Sequence, residues 1–422
     1  MRSEQTDQPV YSSSQRHCHL LLMMSLPHFT LDSVNASQLN GVDEQRVRQD
    51  IAEVDAEIQR HHRLTIACSD NGEYCIRGAE LDRRLCLLHG LRRALRISPD
   101  FVSLHYAPQL QRQLKHQRIA TALADNTNLQ ALINHCALAL RRQFSPRDQQ
   151  LLQLIFRHEL CAPPLPQFNQ RQRRWLAAKA ERDAASEIVE HWRKRQGVAS
   201  SQHEIEMLTL LFSQLHAPQH EAAWHPSEHD LRVQTSQLIA RFETLAGTPF
   251  RTRDTLMPQL YTHLAQALER SCFAMGIDSS LTDEIERQYP RLLRTTCAAL
   301  ADLEAHYQLS LSHAEKCLVA VIFGAGLMQE SALQEKQVVL LTGSDPTLEA
   351  HIEVQIREIT LLPIILRYQT LHDFQHAGAP KGTALVITPY ATPLPLFSPP
   401  LIHAELPLGA HQQERIRLLL ES

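Results

Sequence analysis

Histidine offers this chain its widest range of possible chemistry, because the sequence holds 24 histidines among 422 residues. The densest cluster, at positions 216, 220, 225 and 229, has spacings that could bring several imidazoles to one helix face as metal ligands. Pro218 and Pro226 interrupt any such helix, and no carboxylate or cysteine pattern completes a site. We therefore interpret the cluster as a polar linker and expect neither a bound metal nor a cofactor.

The cysteines and the missing catalytic motifs indicate a cytoplasmic protein that is not an enzyme. None of the nine cysteines forms a Cys-x-x-Cys pair, and this is typical of reduced, mostly buried thiols. The sequence contains no glycine-rich nucleotide loop, no nucleophile elbow and no HExxH zinc motif. The apolar run HLLLMMSL is too short to cross a bilayer, so no membrane partner is expected.

Charge is distributed unevenly along the chain. The formal net charge is only -4, yet residues 141–195 carry 12 positive and 6 negative groups, and residues 196–422 carry 15 positive and 25 negative. This asymmetry favours modules with different partners. A drift in the surface charge of helices, without functional meaning, is the alternative interpretation.

The elements that must position any site are mainly helical, because 13 glycines and 5% aromatic residues argue against a large β-structure. Apolar spacing predicts helices over 15–25 and 30–39, and a third helix beginning after Asp43. The segments LTIAC and EYCIRG, joined by SDNG, predict a β-hairpin. Three helices followed by a hairpin is the layout of a winged helix-turn-helix, whose third helix enters the major groove of DNA.

We assign residues 1–80 to this winged helix-turn-helix and residues 81–119 to a helical connector. The connector begins with a strongly amphipathic helix over 81–96. Its arginines are expected to face outward, where a basic surface could add phosphate contacts. They are Arg83, Arg84, Arg92, Arg93 and Arg96.

The N-terminal module contains two characteristic segments, LNGVDEQRVRQDIAEVDAEI and NGEYCIRG. They hold an Arg-x-x-x-Asp-Ile core at 46–51 and a Gly-x-Tyr-x-x-x-Gly pattern at 72–78. In these segments the module resembles the helix-turn-helix of bacterial sugar-operon regulators that carry phosphotransferase-system (PTS) regulation domains, abbreviated PRD. The resemblance implies DNA recognition by the third helix.

Four side chains at the start of that helix are then expected to contact bases or backbone: Gln45, Arg46, Arg48 and Gln49. Asp43 and Glu44 depart from the family's pattern at this end of the helix, and two carboxylates there would repel phosphate. A winged helix kept for packing or dimerisation, without DNA binding, therefore remains an open alternative.

Two tandem helical modules are expected next, over residues 120–218 and 226–335. The second, with QLYTHLAQALERSCFAMGID and LSLSHAEKCLVAVIFGAGLMQE, resembles a PRD, which is a helical bundle. That family places a phosphorylatable histidine in Leu-x-x-His-Leu with an arginine seven residues later, and these are His263 and Arg270 here. The resemblance implies that His263 accepts a phosphoryl group and that Arg270 holds the added charge. A partly buried histidine bonded to a carbonyl is the alternative.

The family's three other histidine positions have lost their imidazole. Ile322 replaces the second acceptor of this module, and Ile155 and Leu211 replace both acceptors of the first module. The first PRD is therefore predicted to be degenerate and structural, with His158, one helical turn away, as a weak substitute. In the second module, the arginines at 291 and 294 could also approach the phosphoryl group.

The C-terminal residues 336–422 alternate between strand and helix, which predicts a small parallel sheet. They resemble the B-component (EIIB) domain of sugar phosphotransferase permeases, whose first strand ends in a phosphorylatable cysteine. This chain has Leu341-Thr342-Gly343-Ser344 at that point, and no cysteine follows Cys317. We expect the loop to keep an anion-binding shape from its backbone amides, although thiol phosphorylation is impossible. The domain is then a scaffold or a docking unit.

Together, these resemblances imply a cytoplasmic transcriptional regulator of the PRD type that binds DNA through the winged helix. PTS-dependent phosphorylation at His263 would control it. The expected partners are DNA, the PTS phosphocarrier protein or EIIB components, and a second copy of the chain in a homodimer. The alternative is an interaction adaptor that docks PTS phosphocarrier proteins and does not bind DNA.

Overall fold

The protein is mainly helical, with a small α/β region at the C-terminus. The computed structural model describes residues 11–161, 166–196, 201–215, 225–250, 252–277, 282–330, 336–361, 364–392 and 398–421. The chain divides into two compact units. Unit 1 comprises residues 1–218, 225–227 and 272–276, and unit 2 comprises residues 219–224, 228–271 and 277–422. Among the described residues, no helix is long and apolar enough to cross a membrane.

Unit 1 begins with helices surrounding a three-stranded antiparallel sheet of order β1-β3-β2. Its first elements are α1 (Ser13–Met24), β1 (Leu31–Asp32), α2 (Ser33–Asn40), α3 (Glu44–His62), β2 (Thr65–Cys68), β3 (Glu73–Arg77) and α4 (Glu80–Ile97). Both strands of the predicted hairpin are present. The two-residue strand β1 was not predicted, because it is too short to show an alternating pattern.

Identifiable residues mark both ends of the third helix, α3. The Asp43 side chain accepts a hydrogen bond from the backbone N–H of Arg46 at 2.7 Å, which caps α3. Arg63 ends the helix in the left-handed conformation at φ 56°. A buried apolar stripe lies between these ends: Val47, Ile51, Val54 and Ile58.

Two glycines shape the hairpin that follows α3. Gly72 has φ +79° in the turn between β2 and β3, a conformation that favours glycine. Gly78 has φ +147° just after β3, and a Cβ added there would lie 2.4 Å from Leu64 Cδ2. The hairpin therefore needs glycine once for its turn and once for a close approach to the end of α3.

The rest of unit 1 is helical. After α5 (Pro99–Phe101) the chain forms one π-helical turn over Val102–Tyr106. The helices that follow are α6 (Ala107–His116), α7 (Thr121–Ala124), α8 (Asn126–Ala139), α9 (Pro146–Cys161), α10 (Gln170–Ala177), α11 (Glu181–Gln196) and α12 (Gln202–Leu215). The expectation that α4 turns all its arginines outward is wrong for Arg84, which is only 2% exposed. It is buried because Glu80 and Glu159 pair with its guanidinium at 2.6 and 2.5 Å.

The helical part of unit 2 has five helices among the described residues. They are α13 (Pro226–Ala246), α14 (Arg253–Phe273), α15 (Thr282–Gln288), α16 (Pro290–Tyr307) and α17 (His313–Glu330). Pro226 is the first residue of α13, where a missing N–H breaks no helical hydrogen bond. His225 lies outside this helix, so Pro226 does separate it from His229, as predicted. The rings of Phe242 and Phe323 stack at 4.0 Å in the core.

The C-terminal domain is an all-parallel sheet of order β5-β4-β6-β7, as the alternation of strand and helix predicted. Its elements are β4 (Lys336–Thr342), α18 (Pro346–Ile359), β5 (Ile364–Thr370), α19 (Leu371–Ala377), β6 (Thr383–Thr388), β7 (Leu401–His403) and α20 (Ala410–Glu421). Helices α18 and α20 cover one face of the sheet, and Phe374 of α19 packs on the other. Two strands, β5 and β7, were not foreseen.

Three histidines of unit 1 are buried and held neutral. Burial lowers the pKa of His19 to about 4, that of His62 to about 4 and that of His158 to about 3. His19 uses both ring nitrogens, at 2.7 Å from the Asn40 Oδ1 and at 2.7 Å from the Ser98 hydroxyl. Because these rings are uncharged at neutral pH, they can pack in the interior of unit 1 from α1, α3 and α9 without burying a charge.

We expect unit 1 to lose stability as the pH falls from about 6.5 to about 4. Below pH 6.5 these histidines bind protons in the unfolded chain but stay unprotonated in the folded chain. Acid therefore favours unfolding until the pH reaches their lowered pKa values. Each histidine contributes a slope of at most about 1.4 kcal/mol per pH unit. In urea unfolding between pH 7.5 and 4.5, His62→Gln should flatten the slope, whereas the exposed His116→Gln should not. Equal slopes in all three proteins would contradict this account.

Candidate phosphoryl-acceptor site

His263 lies in the middle of α14 and has buried apolar residues on both sides of it along the chain. Leu260 and Leu264, which flank it in the predicted motif, are fully buried. The His263 side chain is 15% exposed, and its Nε2 atom is shielded from solvent. The exposed part of the ring therefore belongs to its other atoms. The helix fixes the backbone, and the two leucines fix which face of α14 turns inward.

A carboxylate that the sequence did not single out faces this histidine. Glu315, in the first turn of α17, places Oε2 3.1 Å from His263 Nε2, although the alignment of the two groups is outside hydrogen-bond geometry. Arg270 donates to the same carboxylate, from Nε to Oε1 at 2.5 Å and from Nη2 to Oε2 at 3.1 Å. The three side chains form a cluster that we call the acceptor cluster. It joins α14 to α17.

The electrostatics of the acceptor cluster depend on Glu315, whose side chain is only 3% exposed. Burial would raise the pKa of this carboxyl, but His263 and Arg270 outweigh burial and hold the pKa below its usual value. Glu315 is therefore ionised at neutral pH. Its partners lie forty or more residues away along the chain, so neither spacing nor periodicity indicated this contact.

The two arginines that were expected near the phosphoryl group are engaged elsewhere. Arg291 donates to the carbonyl of Ile359 at the end of α18, and Arg294 pairs with Glu358. Both contacts are within unit 2 and link α16 to the C-terminal domain. The arginine of the acceptor cluster is therefore Arg270, which donates to Glu315. That Arg270 holds the charge of a phosphoryl group stays a prediction.

The replaced histidine positions of the first module are core positions. Ile155 and Leu211 are both buried. His158 is also buried, with Nε2 3.1 Å from the Ser25 carbonyl oxygen and Nδ1 3.4 Å from Arg84 Nη1. Each ring nitrogen of His158 thus faces a protein group, which leaves the ring a structural role.

The candidate DNA-contacting side chains differ in their availability. Gln45, Arg48 and Gln49 are exposed at the start of α3. Arg46 instead folds back along the helix, with Nη2 2.9 Å from Asp50 and 3.8 Å from Glu53. Arg46 is therefore partly neutralised by carboxylates of its own helix.

One group of three side chains in the described part of the chain has the distances of a metal site. It consists of His17, Asp50 and Glu53. The Asp50 carboxylate already forms ion pairs with Arg16, at 2.6 Å, and with Arg46, so its negative charge is balanced. Two guanidinium groups beside the same carboxylate oppose a cation there. Of the histidine cluster in the linker, positions 216 and 220 lie outside the described residues.

Three backbone amides in and just after the loop that follows β4 are bonded to side chains of the same domain. The Gly343 N–H donates to Glu349 Oε1 at 2.6 Å, and the Tyr390 hydroxyl donates to the same oxygen at 3.0 Å. The Asp345 side chain accepts from the amides of Thr347 and Leu348, both at 3.1 Å. The expected anion-binding shape is therefore wrong for these amides, because side chains of the same domain occupy them.

Comparison with known proteins defines the class first. The PRD domain family matches residues 236–326, which contain all three members of the acceptor cluster. The family described as "Stationary phase-inducible protein CsiE, C-terminal domain" matches residues 336–420. The whole chain is 46% identical over 416 residues to the stationary phase-inducible protein CsiE of Escherichia coli (strain K12), covering 98% of each chain. The protein is thus a PRD-containing protein, and it belongs to the CsiE family.

Breaking the acceptor cluster on one side should be costly. Arg270→Ala leaves the Glu315 carboxylate buried without its main partner, and we expect a loss of about 3–5 kcal/mol in the free energy of unfolding. Arg270→Ala combined with Glu315→Gln should recover part of that loss, because the uncompensated charge is gone. Urea unfolding measures both, with Arg294→Ala as the control. That exposed pair should contribute less than about 1 kcal/mol, and an equal cost for Arg270→Ala and Arg294→Ala would refute the assignment.

Proposed function

We propose that the protein is a PRD-type regulator whose state is set by PTS-dependent phosphorylation of His263. The observation that carries this function is the acceptor cluster itself, within the match to the PRD family. It presents a partly exposed imidazole next to a fixed network of charge on a second helix. A phosphoryl group added there changes the charge at the contact between α14 and α17, so it can alter how these helices pack.

The N-terminal module is proposed to bind DNA as a winged helix-turn-helix. The support is the order of its elements, three helices and a hairpin, and the exposure of Gln45, Arg48 and Gln49 at the start of α3. Long polar side chains at that end of a recognition helix can reach base edges in the major groove. Phosphorylation at His263 would then act on DNA binding through the arrangement of a homodimer.

A second candidate function is that of an adaptor that docks PTS phosphocarrier proteins without binding DNA. It is favoured by the carboxylates around α3, because Asp43 and Glu44 lie at its start and Arg46 is drawn to Asp50. Such a surface attracts phosphate weakly. The adaptor retains His263 as the phosphorylated residue and assigns the winged helix to packing or dimerisation.

The C-terminal domain is proposed to be an EIIB-like docking unit. Its support is the four-stranded parallel sheet with helices on both faces, together with the lack of a cysteine after Cys317. It would contribute a surface for other PTS components and carry no phosphoryl group. Because the sequence holds no catalytic motif, we propose no enzymatic activity for the protein itself. We also propose that it acts in the cytoplasm, where a phosphorelay of this kind operates.

Phosphorylation is tested by incubating the full chain with phosphoenolpyruvate, enzyme I and the phosphocarrier protein. Mass spectrometry under conditions that preserve phosphohistidine should find one phosphoryl group, located at His263 and absent from His263→Gln. His229→Gln, in the same module, is the matched control and should be labelled like the wild type. A chain without label, or with label at another histidine, would disprove the proposed acceptor.

DNA binding is tested by selecting sequences from a random pool with the purified full chain. An enriched site should bind with an affinity that falls as salt rises, and Arg48→Ala should weaken binding and reduce the salt slope by about 1. Arg60→Ala changes an exposed arginine at the far end of the same helix and should leave both unchanged. The absence of any enriched site would favour the adaptor instead.

A further inference from the structure

The surroundings of His263 in the acceptor cluster indicate which of its two ring nitrogens accepts the phosphoryl group. A histidine can be phosphorylated on Nδ1 or on Nε2, and the nitrogen that attacks must be the one without a proton. In the cluster, Nε2 is shielded from solvent and lies 3.1 Å from an ionised carboxylate oxygen. Nε2 therefore lies in shielded surroundings next to a negative charge.

The carboxylate decides where the imidazole proton resides. A negative oxygen 3.1 Å from Nε2 attracts the ring proton, so it favours the tautomer with that proton on Nε2 even without an aligned hydrogen bond. Arg270 fixes that oxygen in place by binding both oxygens of Glu315. The unprotonated nitrogen of the neutral ring is then Nδ1.

Space leads to the same assignment. A phosphorus atom bonded to Nε2 would need the position that Glu315 Oε2 now occupies, and its oxygens would bring negative charge against that carboxylate. Moving Glu315 aside would break its contact with Arg270 and disturb the first turn of α17, where the Glu315 N–H donates to Ser312 Oγ at 3.3 Å. Reaction at Nδ1 requires none of these changes.

Resting on the proposed function of His263, we propose that the phosphoryl group is attached to Nδ1 and that Glu315 is the positioning residue that enforces this. The Nδ1 lone pair attacks the phosphorus of the donor's phosphohistidine, and a new N–P bond forms as the donor's N–P bond breaks. The bonding electron pair returns to the donor imidazole. The proton stays on Nε2, and the positive charge that develops on the ring is balanced by Glu315. Arg270 acts through Glu315 and holds its carboxylate.

The tautomer can be measured without any phosphorylation. In the full chain labelled with 15N in its histidine rings, the signals missing from His263→Gln identify this ring. We expect a protonated Nε2 and an unprotonated Nδ1 in the neutral ring, and a loss of this preference in Glu315→Ala. A neutral ring with its proton on Nδ1 would overturn the inference, whatever the outcome of phosphoryl transfer.

The position and the rate are then measured with phosphoenolpyruvate, enzyme I and the phosphocarrier protein. Coupling of 31P to 15N should locate the phosphoryl group on Nδ1, and coupling to Nε2 would overturn the inference. Glu315→Gln should lower the maximal single-turnover rate of the transfer at least about tenfold, because the ring loses orientation and charge balance. The phosphocarrier concentration that gives half of that rate should be unchanged. A faster transfer in Glu315→Gln would overturn it as well.

The control is Glu243→Gln, because Glu243 is another buried carboxylate of unit 2 that pairs with an arginine, Arg253. It should transfer at the wild-type rate. If no phosphoryl group reaches His263 in any of these proteins, the proposed function is disproved, whereas the role of Glu315 is still decided by the tautomer. The two failures are thus distinguishable.

Discussion

A charge inside a protein must be matched, and this constraint organises the acceptor module around Glu315. The carboxylate belongs to the first turn of α17, whereas His263 and Arg270 belong to α14. Seven residues bring these two side chains to the same face of α14, two turns apart, so one carboxylate can contact both. The orientation of the histidine ring therefore depends on the start of a different helix. A change in the charge of the ring would therefore act directly on Glu315, in the first turn of α17.

Buried carboxylates serve the same purpose in two other places. Glu159, with Glu80, matches the buried guanidinium of Arg84 in unit 1, and burial raises the pKa of Glu159. In the C-terminal domain, Glu349 accepts the Gly343 amide that would otherwise face an external anion. Each site is satisfied by the chain itself. His263 differs from them, because part of its ring still reaches solvent.

Features set by short stretches of sequence could be predicted, and features set by distant contacts could not. The start of α3 after Asp43 and the turn between β2 and β3 depend on neighbours within a few residues, and both were predicted. The spacing of His263 and Arg270 likewise followed from one helix. Glu315 was missed, since its contacts cross between helices, and the burial of Arg84 was missed for the same reason. Strands β5 and β7 are defined by pairing across a sheet.

The number of histidines says little about their chemistry, because the surroundings decide it. His19 and His158 use their ring nitrogens for contacts inside unit 1, and their burial keeps them neutral. A nucleophilic imidazole needs the opposite combination, with one nitrogen held by the protein and the other left open. For His263, Glu315 lies 3.1 Å from Nε2, and the side chain stays partly exposed. The arginines of α3 differ in a similar way, because Arg46 pairs with the buried Asp50 and Arg48 pairs at 3.7 Å with the exposed Glu44. A second molecule can therefore engage Arg48 without first breaking a buried ion pair.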